Sequence, residues 1–299
     1  MGELSATPYF MTDRATLWLG DALEVLSNME DAFVDCVVTS PPYYGQRDYG
    51  VEGQLGLEAD PLDYIAKLVT IFDEVKRVLK PTGSVWVNIG DTYWSGKGSP
   101  TGPDLKQKNR RFDRPQDKRS AHRWAVSKQL VLIPHRFAIA MQDAGWIVRN
   151  DNVWNKIAPF PDPVDDRCAV NHEYIFHFVK SRRYTFDMKA VAVPTKEGKT
   201  QPPPSVWSMQ PERGPSTHPA VFPEKLVELP IKSTCPPNGV LLDPFCGSGT
   251  ALAYTLRLGH ERKCIGIDLS KDALEEARAK LEATPFEFLL TQNTHQETA

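Results

Sequence analysis

A short apolar stretch, Val240-Leu241-Leu242, runs directly into Asp243-Pro-Phe-Cys-Gly-Ser-Gly-Thr250, and helical spacing follows at once. A strand that turns through two glycines into a helix constrains this chain more than any other feature. Glycines at 247 and 249 permit a sharp turn and let a ligand touch the backbone. Asp268 closes the next apolar run, Cys264–Ile267. Nucleoside-binding α/β folds hold a carboxylate there for ribose hydroxyls. A dinucleotide fingerprint requires Gly or Ala at position 252, where Leu252 stands, and no Gly-Lys-Ser/Thr phosphate grip occupies this turn. The turn therefore suits a nucleoside without a pyrophosphate, which points to S-adenosylmethionine.

A second buried run, Phe33–Thr39, ends at Ser40-Pro41-Pro42-Tyr43. Two prolines terminate a strand because neither donates to the ladder. Open α/β sheets bind ligands beyond the carboxyl ends of their strands, so both turns are expected to line one crevice. Methylation of an exocyclic amine suits the second turn. Such an amine is a weak nucleophile because its lone pair is delocalised into the ring. Two acceptors bonding its hydrogens would localise that pair. The Ser40 hydroxyl and the Pro41 carbonyl can be those acceptors. Tyr43 offers a ring face on which an extruded base can stack.

Between and around these turns the chain alternates. Thr16–Gly20, Ser84–Ile89, Trp146–Trp154 and Glu173–Val179 read as strands. Helical spacing runs from Leu62 to Leu79, from Gln129 to Ala144, from Glu224 to about Thr234, from Thr250 to Leu258 and from Lys271 to Leu281. Val193–Pro219, rich in proline, reads as irregular loop. The alternation predicts an α/β fold with a mostly parallel sheet in one domain spanning residues 1–299.

Charge is unevenly spread. The chain carries −3 overall, yet residues 97–128 hold ten basic side chains against three acids. Glycines and prolines make 95–128 a loop. Its Lys106, Lys108, Arg110, Arg111, Arg114, Lys118 and Arg119 form an electrostatic footprint for phosphates, and double-stranded DNA is the expected partner. Trp94 and Trp124 flank this loop and are candidates for DNA contact. Five cysteines show no Cys-x-x-Cys spacing. This argues against a disulfide framework and a zinc ribbon, and for a reducing cytoplasm. No apolar run reaches the length of a membrane span. His172 and His177 fall on opposite faces of a strand, and the sequence offers no metal-ligand set.

The two turns together resemble the DNA amino-methyltransferases, which carry an Asp/Asn/Ser-Pro-Pro-Tyr/Phe motif and a Phe-x-Gly-x-Gly cofactor motif. Here they are Ser40–Tyr43 and Phe245–Gly249. Their order, catalytic motif first and cofactor motif last, resembles the circularly permuted β class. The resemblance implies a Rossmann-like methyltransferase fold with seven strands, the sixth and seventh antiparallel, and inserted DNA-recognition segments. Trp146–Trp154 and Glu173–Val179 would be those two strands. Asn171–Phe176 resembles a strand of restriction-modification enzymes.

The resemblance also implies a cofactor site built from Asp21, His218, Phe222, Asp243, Phe245, Gly247, Gly249, Thr250 and Asp268. Asp21 would lie by the adenine, and the His218–Pro223 stretch would close over the methionine moiety. Residues 158–221 would read the DNA target. Ser at position 40 resembles the cytosine-N4 branch; adenine N6 stays open, as do an RNA base, a protein glutamine amide, and a catalytically silent DNA-binding module of the same fold. A homodimer, and a restriction endonuclease acting on the same site, are the further partners it implies. The carbon-5 mechanism needs a Pro-Cys nucleophile, and no cysteine here follows a proline.

Overall fold

The alternation of strand and helix patterns becomes one continuous sheet covered by helices on both faces. The computed structural model describes residues 7–46, 50–94, 122, 124–159, 164–211 and 223–284. In chain order the elements are β1 (Phe10–Met11), β2 (Ala15–Leu19), α1 (Ala22–Ser27), β3 (Val34–Thr39), α2 (Pro61–Val78) and β4 (Leu79–Ile89). Next come α3 (Ile133–Asp143), β5 (Ile147–Lys156), β6 (His172–Val179), α4 (Met188–Val191), β7 (Val193–Pro194), β8 (Thr200–Gln201) and β9 (Val206–Met209). The last are α5 (Glu224–Thr234), β10 (Val240–Asp243), α6 (Thr250–Arg257), β11 (Lys263–Asp268) and α7 (Lys271–Glu282).

The sheet order is β1-β2-β11-β10-β3-β4-β6-β5-β9. From β2 to β4 every neighbouring pair is parallel. Strand β6 runs against both β4 and β5. The seven strands from β2 to β5 are the expected sheet. Two short strands widen it to nine: β1 pairs antiparallel outside β2, and β9 pairs parallel outside β5. Strands β3 and β10, far apart in the chain, are neighbours because the connection between them loops across half of the fold.

Local chemistry accounts for the elements. Asp60 caps α2 by accepting from the Leu62 N–H at 2.8 Å, and Pro61 fills the first helical position. The helix then buries Tyr64, Leu68, Phe72 and Val75 on one face. Successive side chains of the strands alternate between two cores. Val37, Val85, Val87 and Ile89 join Phe72, Phe137 and Phe178 on one side. Cys36, Val38 and Trp86 join Trp207, Leu226, Ile231 and Leu252 on the other.

Two expectations are corrected. Helical spacing from Gln129 begins too early, because Gln129–Val131 pair instead with Thr92–Trp94. The Trp94 N–H donates to the Gln129 carbonyl at 2.7 Å, and the Val131 N–H to that of Thr92 at 3.0 Å. The helix starts at Ile133, just before Pro134. Second, the proline-rich stretch 193–219 is not wholly irregular: β9 inserts Trp207 and Met209 into the core, and β7 and β8 form a small hairpin. Among the described residues no helix is long and apolar enough to cross a membrane.

Candidate active site

The two turns that the sequence singles out leave adjacent strands side by side. In the β3·β10 register Leu241 faces Cys36 and Leu242 faces Val37. One step further, the Thr39 hydroxyl donates to Asp243 Oδ1 at 2.6 Å. The Phe245 N–H donates to the same oxygen at 3.1 Å. Both Thr39 and Asp243 are buried, and Asp243 Oδ2 has no hydrogen-bond partner. Burial raises the Asp243 carboxyl to about 7, with neighbouring Asp268 adding to the rise and the Thr39 and Phe245 hydrogen bonds opposing it.

The glycine turn is held by the strand beyond it. Asp268 accepts from the Gly247 N–H at 2.8 Å and, through its other oxygen, from the Ser270 N–H at 2.8 Å. Gly249 sits at φ 75°, left-handed backbone that favours glycine, and a Cβ there would lie 3.0 Å from that of Ala277. Thr250 begins α6 immediately afterwards. On the far side, the Gly20 N–H donates to the Asp268 carbonyl at 3.0 Å. Asp21 then caps α1, accepting from the Leu23 and Glu24 N–H groups. Lys280 reaches the hydroxyls of Ser248 at 3.2 Å and Thr250 at 3.4 Å. Asp21, Asp243, Phe245, Gly247, Gly249, Thr250 and Asp268 therefore gather at the carboxyl ends of β2, β10 and β11. Three carboxylates there are acceptors for hydroxyl and ammonium groups, a donor set that fits a nucleoside bearing an amino acid better than a phosphate. His218 and Phe222 lie outside the described residues.

Around the second turn, side chains converge on Tyr43. Its hydroxyl donates to Glu173 Oε2 at 2.6 Å and accepts from Asn88 Nδ2 at 2.7 Å. The Ser40 hydroxyl approaches the same oxygen at 3.4 Å. Asn88 also donates to Glu173 at 2.9 Å, and Lys156 forms an ion pair with the other Glu173 oxygen. The Tyr43 phenol is pushed well above its usual range, first by burial and then by the Glu173 charge. The ring lies against Gly90, where a Cβ would come within 2.7 Å of Tyr43 Cε2. The Tyr64 hydroxyl donates to the Pro42 carbonyl at 2.8 Å and pins the turn from beneath. Pro41 is buried, whereas Ser40 and Pro42 keep partial exposure.

Sequence reasoning passed over Thr39, Asn88, Lys156 and Glu173 as functional residues. Asn88 carried a signal, being a polar residue near the end of an otherwise apolar strand. Glu173 lay inside a quoted stretch without a role.

Cys36 and Cys246 offer no thiolate: both are buried, and burial pushes each thiol well above the usual range. Trp94 is a core residue, 4% exposed, and thus unavailable for the DNA contact considered above. Trp124 is covered by the His122 ring, stacked at 5.0 Å, and by the Arg136 guanidinium at 4.4 Å. Lys106, Lys108, Arg110, Arg111, Arg114, Lys118 and Arg119 lie outside the described residues. Of the stretch 158–221, β6 and β9 belong to the sheet, while 160–163 and 212–221 lie outside the described residues.

Comparison with known proteins bears on this geometry. A family model described as DNA methylase matches residues 34–279, a span that includes both turns. The chain is 40% identical over 268 residues to the Type II methyltransferase M.XycI of Xanthomonas campestris pv. cyanopsidis, covering 90% of this chain and 88% of that protein. It is 39% identical over 272 residues to the Type II methyltransferase M.Cfr9I of Citrobacter freundii, covering 90% and 88%. Among solved structures, the cytosine-N4-specific PvuII DNA methyltransferase superposes with a TM-score of 0.69 at 20% identity, over 93% of this chain and 90% of that one. A DNA modification methylase from Thermus thermophilus, complexed with S-adenosyl-L-methionine, superposes with a TM-score of 0.60 at 25% identity, over 90% and 94%.

Proposed function

The chain belongs to the DNA methylase family, and on that premise we propose that it transfers a methyl group from S-adenosylmethionine to the exocyclic N4 amine of a cytosine in double-stranded DNA. The adjacency of the Ser40 and Gly247 turns, tied by the 2.6 Å bond from Thr39 to Asp243, is the observation that carries this reading. Ser at position 40 favours cytosine over adenine, where Asp is the usual form of the motif.

S-adenosylmethionine is the cofactor, and it supplies an electrophilic methyl group on a sulfonium. Asp268 would hold its ribose, Asp21 its adenine end, and the Phe245–Thr250 turn its amino-acid end, with His218 and Phe222 closing over it. The buried Asp243 oxygen without a partner is an acceptor available to that end. The Ser40 hydroxyl and the Pro41 carbonyl accept the two amine hydrogens of the target base, so its lone pair is turned toward the methyl. The Tyr43 ring stacks on the base. No enzyme nucleophile takes part, and catalysis is mainly orientation, which can supply about 7–11 kcal/mol.

A duplex hides the amine, so the base is flipped out at a cost on the order of a few kcal/mol. Lys106, Lys108, Arg110, Arg111, Arg114, Lys118 and Arg119 would hold phosphates, and residues within 158–221 would read the target. A restriction endonuclease acting on the same site is the natural companion of a chain so similar to Type II methyltransferases. Homodimerisation remains an expectation from the family.

Mass spectrometry of nucleosides from plasmid DNA treated with the protein and isotopically labelled S-adenosylmethionine tests this. Labelled N4-methylcytosine is expected. N6-methyladenine would transfer the reading to adenine, and no labelled nucleoside despite cofactor binding would favour a silent DNA-binding fold.

A further inference from the structure

Resting on the amine-methylation reading, we propose that Glu173 is a positioning residue: it fixes, through the Tyr43 hydroxyl, the direction of the hydrogen bond at Ser40, so that Ser40 meets the target amine as an acceptor. A serine hydroxyl donates or accepts with equal ease. A weakly nucleophilic amine with two hydrogens is helped only by acceptors, so a hydroxyl free to point its own proton at the amine would oppose the chemistry.

The side chains around Tyr43 remove that freedom step by step. An ionised carboxylate only accepts, and the Lys156 ion pair on one Glu173 oxygen favours the ionised form. The other oxygen therefore takes the single proton of Tyr43 at 2.6 Å. Asn88 cannot reverse this arrangement. Its Nδ2 contacts two acceptors, Glu173 at 2.9 Å and Tyr43 at 2.7 Å, so the amide has one sensible orientation and donates to both. With its proton committed to Glu173, the Tyr43 oxygen can only accept further bonds. Ser40, 3.4 Å away, is then the donor of that pair. Its proton points inward, and its lone pairs are left for the pocket. The distance is long for a hydroxyl bond, as is common before substrate tightens a site. A ring that serves only as a stacking face needs no hydroxyl, whereas Tyr43 presents one bonded on three sides. The raised phenol pKa keeps the proton on that oxygen.

Glu173→Gln breaks the chain of directions. If the amide oxygen turns to Lys156, its NH2 turns to Tyr43, which is then free to donate to Ser40. Tyr43→Phe keeps the ring and removes the link. The test is a double-mutant cycle read by single-turnover methylation, with cofactor and DNA affinities and melting temperatures measured beside it. Each single variant is expected to lose rate on the order of 100-fold with both affinities unchanged. The double variant is expected to be no slower than the slower single, because both act through one hydroxyl. Multiplying effects in the double variant, or a wild-type rate in either single, would overturn the proposal. Should Glu173→Gln fail to fold, Tyr43→Phe alone decides: a wild-type rate overturns the proposal, and a large loss of rate at unchanged affinity supports it. The wild-type protein in the same assay separates the two levels. If it methylates a DNA amine and the cycle is additive, only this proposal falls; if it transfers no methyl, both fall.

Discussion

Thr39 Oγ1 donates a 2.6 Å hydrogen bond to Asp243 Oδ1 and so ties the end of one strand to the start of the glycine turn on the next. Both residues are buried, and the carboxylate has few other partners. Thr39→Val keeps the shape and removes the donor. It is expected to cost about 2 kcal/mol of stability and to weaken cofactor binding, because the turn loses one of its anchors. Denaturant unfolding and calorimetric titration with S-adenosylmethionine measure the two effects.

Gly90 bears on Tyr43 in a similarly direct way. A Cβ at position 90 would lie 2.7 Å from Tyr43 Cε2 and 3.1 Å from Cδ2, so the ring must shift. Gly90→Ala is expected to lower turnover on the order of 10- to 100-fold while cofactor affinity holds. Steady-state kinetics beside equilibrium binding separate the two.

Two buried groups give the fold opposing pH responses. His177 is stacked on Trp86 at 4.0 Å, contacts Ser84 at 3.1 Å, and is pushed down to about 3, first by burial and then by Arg149. The folded ring stays neutral where the unfolded chain takes up a proton. Its contribution is present above about 6.5 and is lost as pH falls toward 3, by up to about 1.4 kcal/mol per pH unit. Asp243, raised to about 7, behaves in the reverse sense. The fold holds a proton that the unfolded chain releases above about 4, so this contribution is present at low pH and lost as pH rises through 7. His177→Phe is expected to flatten the loss of stability between pH 6.5 and 4.5, and Asp243→Asn to steepen it. Unfolding free energies across that range test both.

The sequence disclosed the two turns because glycine and proline leave marks that no packing is needed to read. The inner strands were equally plain, since strands buried on both faces are continuous apolar runs. What it did not disclose depends on pairing between distant segments. Glu173 and Asn88 are single polar residues near strand ends, and only the antiparallel register of β4 and β6 brings them to Tyr43. Strand β9 was hidden for a similar reason. Four residues after a run of prolines show too little period to be told from a loop, and Trp207 acquires its place only by packing beside β5. The start of α3 was misjudged because Gln129–Val131 have helical spacing but spend their backbone groups on Thr92–Trp94.

The central claim is that the turn at Ser40 presents an amine to a methyl group held by the turn at Gly247. Ser40→Ala, assayed for single-turnover methylation of DNA and for equilibrium binding of S-adenosylmethionine, tests it most directly. Methyl transfer should vanish while cofactor affinity stays at the wild-type value; methylation at the wild-type rate would contradict the claim.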